Sequence, residues 1–438
     1  MSLNIKKHLS ASSLIAAVRK RFSRILDPRD LKAKCIPLVD HLMSGLAIFG
    51  LKFPSLLEYD RSLKDTAIER NLKDLYLVGE PPSDTYLRER LDEIDPSQLR
   101  PAFTKLFSYL QRGKCLEQFT FLKGYYLLSL DGTGKLSSNK ICCPYCCTKE
   151  HANGTVTYYH QMFGACIVHP DQPNVIPLCP EMIQNEDGHT KNDCERNAAR
   201  RFLGNFRREH PHLKVIVVED GLSSNAPHIH DLEAQNMKYI LGAKPGDHEF
   251  LFKQVEDSTE TQYYEFTDEK GFLHQFSFLN TVALNKTNQD LKINFLEYQE
   301  TDPKGNEKRF AWVTNIFLSK DNLYEIMRGG RSRWKIENET FNTLKNLGYN
   351  FEHNYGHGKQ HLAAVFSILM MLSFLIDQIQ EIACSFYKAA KKAAGTYRGL
   401  WIRMRVLFEY IKFSSWELFY STIINKIQIP IEAILDRT

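Results

Sequence analysis

Residues 124–134, GYYLLSLDGTG, do more than any other stretch to limit what this chain can become. Tyr125 to Leu130 have the aromatic and aliphatic character of a buried strand, and Asp131 stands where that strand is expected to stop. Gly132 and Gly134 would then let the backbone turn away without a Cβ clash. A carboxylate at the end of a buried strand is costly unless its charge is held. For a lone residue two readings are open: a turn Asp satisfied by its own backbone, or a ligand of a divalent metal.

A second stretch repeats the situation. Residues 213–220, LKVIVVED, form a continuous apolar run ending in acid, with Gly221 after it. If the two strands are neighbours in one sheet, Asp131 and Asp220 converge at one edge. A third carboxylate from a nearby helix would complete a site for two Mg2+ (or Mn2+) ions, which bind oxygen ligands and sit about 4 Å apart astride a phosphodiester. One ion activates the attacking oxygen and the other stabilises the leaving one, so no side-chain nucleophile is required. The run 331–347, RSRWKIENETFNTLKNL, reads as a charged amphipathic helix ended by Gly348, and it offers Glu337 and Glu339 as the third carboxylate. Arg333 lies one turn before Glu337 on the same face, and Lys345 lies further along. A basic flank there would hold the phosphates of the scissile strand. The competing reading of these residues is a solvated helix face with i,i+4 ion pairs.

The rest of the chain predicts an α/β protein with helical ends. Residues 1–115 read as helical, with a helix over 10–25, turns at Pro54 and Pro81–Pro82, a helix capped by Ser83 or Asp84, and another over 99–116. The overall net charge is only +4, but Lys6, Lys7, Arg19, Lys20, Arg21, Arg24, Arg29, Lys32 and Lys34 make the N-terminus basic, either as a solvated face or as a contact for DNA phosphates. Residues 116–243 alternate strands (125–131, 155–169, 174–179, 213–220, 239–243) with helices (192–208, 225–235). Residues 185–188, NEDG, read as a polar loop. Residues 244–320 alternate apolar and polar residues around Gly/Asp/Asn turns, the tightest at Lys304–Asn306. This predicts antiparallel β with no helix before Asp321. Residues 321–380 carry the Glu-bearing helix and a helix over 361–380, and 381–438 read as helical. The most apolar window, 362–376, is expected to be too short to span a bilayer and to be a buried helix, so no membrane partner is expected.

With these three motifs in order, residues 80–380 resemble DDE-type transposases of bacterial insertion sequences. The resemblance rests on YLLSLDGTG, on VIVVEDGLSSNAPHI and on RWKIENETFNTLKNLGYNFEHNYGHG. It implies an RNase H-like catalytic core with an antiparallel β insertion between the second Asp and the Glu. It also implies Asp131, Asp220 and Glu337 as the catalytic carboxylates and Mg2+ ligands, with Arg333 on the DNA phosphates. Two positions depart from the family pattern. Gly330 stands where a Tyr is common, and the expected Lys position holds Leu344, with Lys345 one residue later. Glu339 therefore stays as the alternative third carboxylate, and Lys345 as a phosphate contact is less well placed. The implied function is cleavage at transposon ends and strand transfer to target DNA, in a homodimer on double-stranded DNA in the bacterial cytoplasm. Two alternatives are an RNase H-like nuclease that does not join strands and a zinc-containing DNA-binding regulator.

Ten cysteines in a chain without a signal-peptide pattern argue for reduced thiols or a metal, not a disulfide framework. Cys143 and Cys146 in ICCPYCC have C-x-x-C spacing, and Cys142, Cys147, His151 and His160 are the nearby further ligands for Zn2+. With no second C-x-x-C in the chain, reduced cysteines in a hairpin are the favoured reading. His353 and His357, after the Glu helix, read as hydrogen-bonding residues, or as groups that touch DNA or pass a proton.

Overall fold

The computed structural model describes residues 7–29, 35–185 and 194–425. Lys6, Lys32 and Lys34, residues 186–188 of the polar loop, Asn192 and residues 426–438 lie outside that description. The chain is mixed α/β, with a large mixed sheet and helices at both ends. It forms two compact units, one from residues 1–116, 134–160 and 342–438 and the other from 117–133 and 161–341.

The first unit is helical around Leu362–Ala383, which packs against Leu38–Gly50, Asp84–Asp92 and Arg100–Arg112. Sequence patterning over 361–380 places this helix, but the apolar window 362–376 understates how long it is. It runs past Ile376 through the polar DQIQE segment, and by length and composition it is long enough to cross a membrane. Its apolar window is, however, entirely buried within the protein. Within the polar segment the buried Asp377 is paired internally. Lys52 Nζ lies 2.6 Å from its carboxylate, and the Tyr349 hydroxyl donates to the same oxygen. The Lys52 ammonium also faces the rings of Tyr349 and Trp401, each centroid 4.2 Å away. At the N-terminus Ser10 caps Ala11–Phe22 by accepting from the Ser13 N–H. Two of the basic residues there are used within the chain: Arg19 pairs with Asp40 and Arg29 with Asp27, whereas Lys20 and Arg24 are exposed.

The second unit is built on strands β1 (Tyr125–Ser138, of which residues up to 133 belong here), β2 (Val156–Val168, here from 161), β3 (Glu181–Ile183), β4 (Val215–Glu219), β5 (Lys238–Ala243), β6 (Gln262–Thr267), β7 (Leu273–Asn285), β8 (Asn288–Thr301) and β9 (Glu307–Thr314). The strand order is β3-β2-β1-β4-β5-β9-β8-β7-β6. β1, β4 and β5 run parallel, and β9, β8, β7 and β6 continue the sheet antiparallel. The parallel strands are apolar on both faces, as expected for strands covered on both sides. The 304–306 turn is present: Gly305 sits at φ +85°, and the Asp302 carboxylate accepts from the N–H groups of Lys304 and Asn306.

Three expectations need correction. A helix, Glu249–Asp257, precedes the β-rich segment. Its core contribution is one pair, Leu251 and Val255, too short a period to stand out beside the alternation that follows. The 174–179 strand shrinks to Ile176–Pro177. The single helix expected over 331–347 is broken. An α-helix over Leu323–Arg331 stops where the Ser332 hydroxyl donates back to the Arg328 carbonyl, and a π-helical turn, Ile336–Phe341, carries both Glu residues.

Candidate active site

Asp131 does not end its strand. β1 continues through Gly132-Thr133-Gly134 to Ser138, and neither Gly132 nor Gly134 adopts positive φ. The reason for Gly132 is space. A Cβ there would overlap the carboxylate of Glu195, the first residue of the helix Glu195–Glu209. Glycine at 132 therefore admits a fourth acid to the site, and it does not turn the chain.

The two Asp are brought level by strand pairing. β1 and β4 are parallel neighbours in the register Ser129↔Val218, and two more residues along each strand lead to Asp131 and Asp220. Adjacent strands lie about 4.8 Å apart, so both acids occupy one short stretch of the sheet's carboxyl end. Asp220 caps the turn Gly221–Ser223 by accepting from the Leu222 N–H at 3.0 Å. Its backbone is pressed against Gly242 of β5, where a Cβ would meet the Gly221 nitrogen at 3.0 Å and the Asp220 carbonyl carbon at 3.3 Å. The neighbouring Glu219 points away from this edge into a buried pair with His228 at 2.6 Å. Burial alone would lower the His228 pKa, but Glu219 more than offsets it and holds the imidazole above its usual value.

Glu337 joins the pair from the π-helical turn. Arg333 Nη1 lies 2.7 Å from the Glu337 carboxylate and 3.5 Å from that of Asp131. The Ser129 hydroxyl donates to the Arg333 carbonyl at 3.0 Å, which ties the turn to β1 two residues before Asp131. The Arg333 guanidinium also lies over the exposed Trp334 ring, 4.5 Å from its centroid. Glu339, the alternative third acid, is exposed. Lys345 belongs to the first unit, where it pairs with Glu352 at 2.9 Å. Gly330, the departure from the resembled pattern, is covered by the Trp312 indole. A Cβ at 330 would come within 2.5 Å of the ring nitrogen, so a Tyr has no room there.

The cluster is electrostatically strained. Asp131 is pushed up to about 7, by burial and then by Glu337, against the opposing pull of the Gly132 N–H, which donates to it at 2.8 Å, and of Arg333. Glu195 is exposed as a residue, but its carboxylate is turned into the space over Gly132. Burial, then Asp220 and Glu219, raise it above its ordinary value. Asp131 and Glu337 are thus bridged by Arg333, and Glu195 lies over Gly132 close to Asp220; like charges so placed favour either shared protons or bound cations. An all-oxygen donor set suits a hard divalent ion. Glu195 was not foreseen, because an acid in a first helical turn is ordinarily explained by the helix dipole alone. The Asp-Cys-Glu just before the arginine-rich helix is the signal that could have found it.

A cavity in the second unit is basic. It is lined by Arg328, Arg331 and Lys335 with His274, Tyr324 and Glu300. Arg331 pairs with Glu300 at 2.9 Å, and Lys335 donates to the Gln172 carbonyl at 2.7 Å.

Cys143 and Cys146 lie in the first unit with His160 and His357. Of the other residues considered with them, Cys142 is exposed, Cys147 is buried in its strand, and His151 is bonded to the Thr157 hydroxyl. His353 is exposed, with its ring against Tyr355.

The chain matches no model of a known protein family and no curated protein.

Proposed function

We propose that the protein is a DDE-type DNA transposase that cuts at the ends of an insertion sequence and joins the freed ends to target DNA. The observation that carries this reading is that strand register sets Asp131 and Asp220 level on adjacent parallel strands while Arg333 bridges Asp131 to Glu337 on a following helical turn, in the order the resemblance implies. The parallel strands β1, β4 and β5 and the antiparallel strands placed before Glu337 in sequence support an RNase H-like core with a β insertion. Contact with Asp131 through Arg333 favours Glu337 over the exposed Glu339 as the third acid.

Two Mg2+ (or Mn2+) ions held by Asp131, Asp220 and Glu337 would supply activation of the attacking oxygen and charge stabilisation at phosphorus and the leaving oxygen. The chain's own residues do the positioning. Arg333 fixes the Glu337 carboxylate and offsets part of the Asp131 charge, and Ser129 holds the Arg333 backbone on β1. Glu195, admitted by Gly132, lies close to Asp220 and would orient what the two Asp residues bind. Arg328, Arg331 and Lys335 offer cationic donors to a DNA backbone. In the first step water attacks the phosphorus and the bond to the 3′ oxygen breaks. In the second, the freed 3′-hydroxyl attacks a target phosphate, the bond from that phosphorus to the target strand's own 3′ oxygen breaks, and the element's end is joined to the target's 5′ side.

The test is Mg2+-dependent nicking of linear DNA carrying the element's terminal repeats. Asp131→Ala, Asp220→Ala and Glu337→Ala should each abolish nicking while gel-shift binding to the same DNA persists. Substantial cleavage by Asp131→Ala overturns the assignment. A strand-transfer assay on a pre-cleaved end separates a transposase from a nuclease that only cuts. Absence of any Mg2+-dependent cleavage by the unaltered protein would favour a DNA-binding regulator.

A further inference from the structure

We infer that Cys143, Cys146, His160 and His357 bind a structural Zn2+ ion in the first unit. The four donor atoms lie within 4.8 Å of one another. Zinc bonds of about 2.3 Å to sulfur and 2.0–2.1 Å to nitrogen require tetrahedron edges of about 3.8 Å for S···S and about 3.5 Å for S···N. The observed edges are 3.7 Å for Cys143 Sγ to Cys146 Sγ, 3.5 Å for each sulfur to His160 Nε2, and 3.3 Å for Cys146 Sγ to His357 Nε2. The sulfurs are therefore far beyond disulfide length, and these four edges match a metal-centred tetrahedron, with the other two within 4.8 Å.

The surroundings are built to hold this arrangement. In the Cys143–Cys146 turn the Cys146 N–H donates to the Cys143 carbonyl at 3.1 Å, and the Cys143 N–H points at the Cys146 sulfur at 3.4 Å. An N–H aimed at a sulfur favours the thiolate, the form that binds metal. His160 projects from β2. His357 sits between Gly356 (φ +146°) and Gly358 (φ +73°), and a Cβ at either position would strike Leu362. The same loop is anchored by Asp92, whose carboxylate accepts from the N–H groups of Lys359, Gln360, His361 and Leu362 at 2.8–3.0 Å. The two positive-φ glycines therefore have a purpose, which is to deliver one imidazole to two cysteines more than two hundred residues earlier.

Both imidazoles present Nε2 to the cluster. Their Nδ1 atoms are buried without a hydrogen-bond partner, so packing of the two rings, centroids 4.9 Å apart, sets their orientation. Two sulfurs and two nitrogens select Zn2+ over the hard ions suited to the carboxylate site. Cys146 and His160 are buried, and four protein donors fill a tetrahedral shell, which is the closed form of a structural site.

The experiment is elemental analysis of the full-length protein, purified without a histidine tag and dialysed against metal-free buffer. The expected result is about one zinc per chain, kept in Cys142→Ser and His151→Ala and lost in Cys146→Ser and His357→Ala. Because those last two variants can fail to fold, the unaltered protein is also loaded with Co2+. Tetrahedral d–d bands with sulfur-to-cobalt charge transfer support the site, and His160→Cys should keep one metal per chain with a stronger charge-transfer band. Substoichiometric zinc in the unaltered protein, full zinc retention in folded His357→Ala, or an octahedral Co2+ spectrum would each overturn the proposal.

Discussion

The carboxylate cluster of the second unit and the Cys/His cluster of the first differ in donor type, in exposure and in how their charge is settled. Asp131 and Glu337, and Glu195 and Asp220, set like charges beside each other, with Arg333 offsetting two of them. Cys143, Cys146, His160 and His357 gather soft donors that touch mainly one another in a largely closed pocket. An open shell with unspent charge suits a group that must exchange water and substrate. A full shell with no free position suits one that holds chain segments together. The buried pair of Lys52 and Asp377 is a third solution, in which opposite charges settle each other and no ion is needed.

The largest expected effect separates the first two clusters outright. Asp131→Ala should lower Mg2+-dependent cleavage by roughly 10³-fold or more with little change in Tm. His357→Ala should instead lower Tm and release zinc, with cleavage falling only as the folded fraction falls. Equal and specific loss of cleavage in both variants, with unchanged Tm, would break the contrast. For the third cluster, Lys52→Met should destabilise by about 3–5 kcal/mol in chemical denaturation, because it strands Asp377. Pairing it with Asp377→Leu should recover most of that loss.

A pH experiment probes a charge that none of the three solutions covers. Lys135 Nζ is buried without a hydrogen-bond partner, near the Phe351 ring, and burial pushes its pKa down to about 7. The unfolded chain holds this proton up to about pH 10.5, so between pH 7 and 10.5 the unfolded state binds more protons and stability rises with pH. The destabilisation is fully present below pH 7 and gone above 10.5. Lys135→Met should flatten that rise, worth up to a few kcal/mol, in denaturant titrations at pH 7 and pH 9.

Smaller effects resolve the carboxylate cluster internally. Glu195→Gln should reduce cleavage by about 10–100-fold, the range typical of groups that orient metal ligands. Glu339→Gln should stay within about twofold of the unaltered protein, as an exposed surface change should. If Glu339→Gln is as inactive as Glu337→Gln, the third acid has been misassigned.

Much of the frame was readable from residue patterns. The apolar runs ending in Asp131 and Asp220 are strands, the 262–314 alternation is antiparallel sheet, and the 362–376 window is buried helix. These follow from local period and hydrophobicity, which tertiary contacts then reinforce. The misses share a different cause. Local sequence makes Gly132 a turn residue because a glycine's local meaning is conformational, whereas here its meaning is the Glu195 side chain that fills the space. The run 331–347 reads as one regular helix because nothing in its residue period announces the π-helical turn at Ile336–Phe341. His357 could not be joined to Cys143 and Cys146, because no spacing rule spans that separation. Local patterns report elements, and sites assembled from distant segments leave only fragments in the sequence.

The first unit is completed from the end of the chain. Leu362–Ala383, the helix its N-terminal helices pack on, follows the whole of the second unit in sequence. At about 5–20 residues per second of synthesis, the roughly 200 residues between His160 and His357 take on the order of 10–40 s to emerge. Through that interval the apolar faces of the first helices and the two cysteines wait without their partners, while the second unit has the chance to fold. Nascent chains of this protein should therefore need protection of their early helices until the ribosome has passed residue 383.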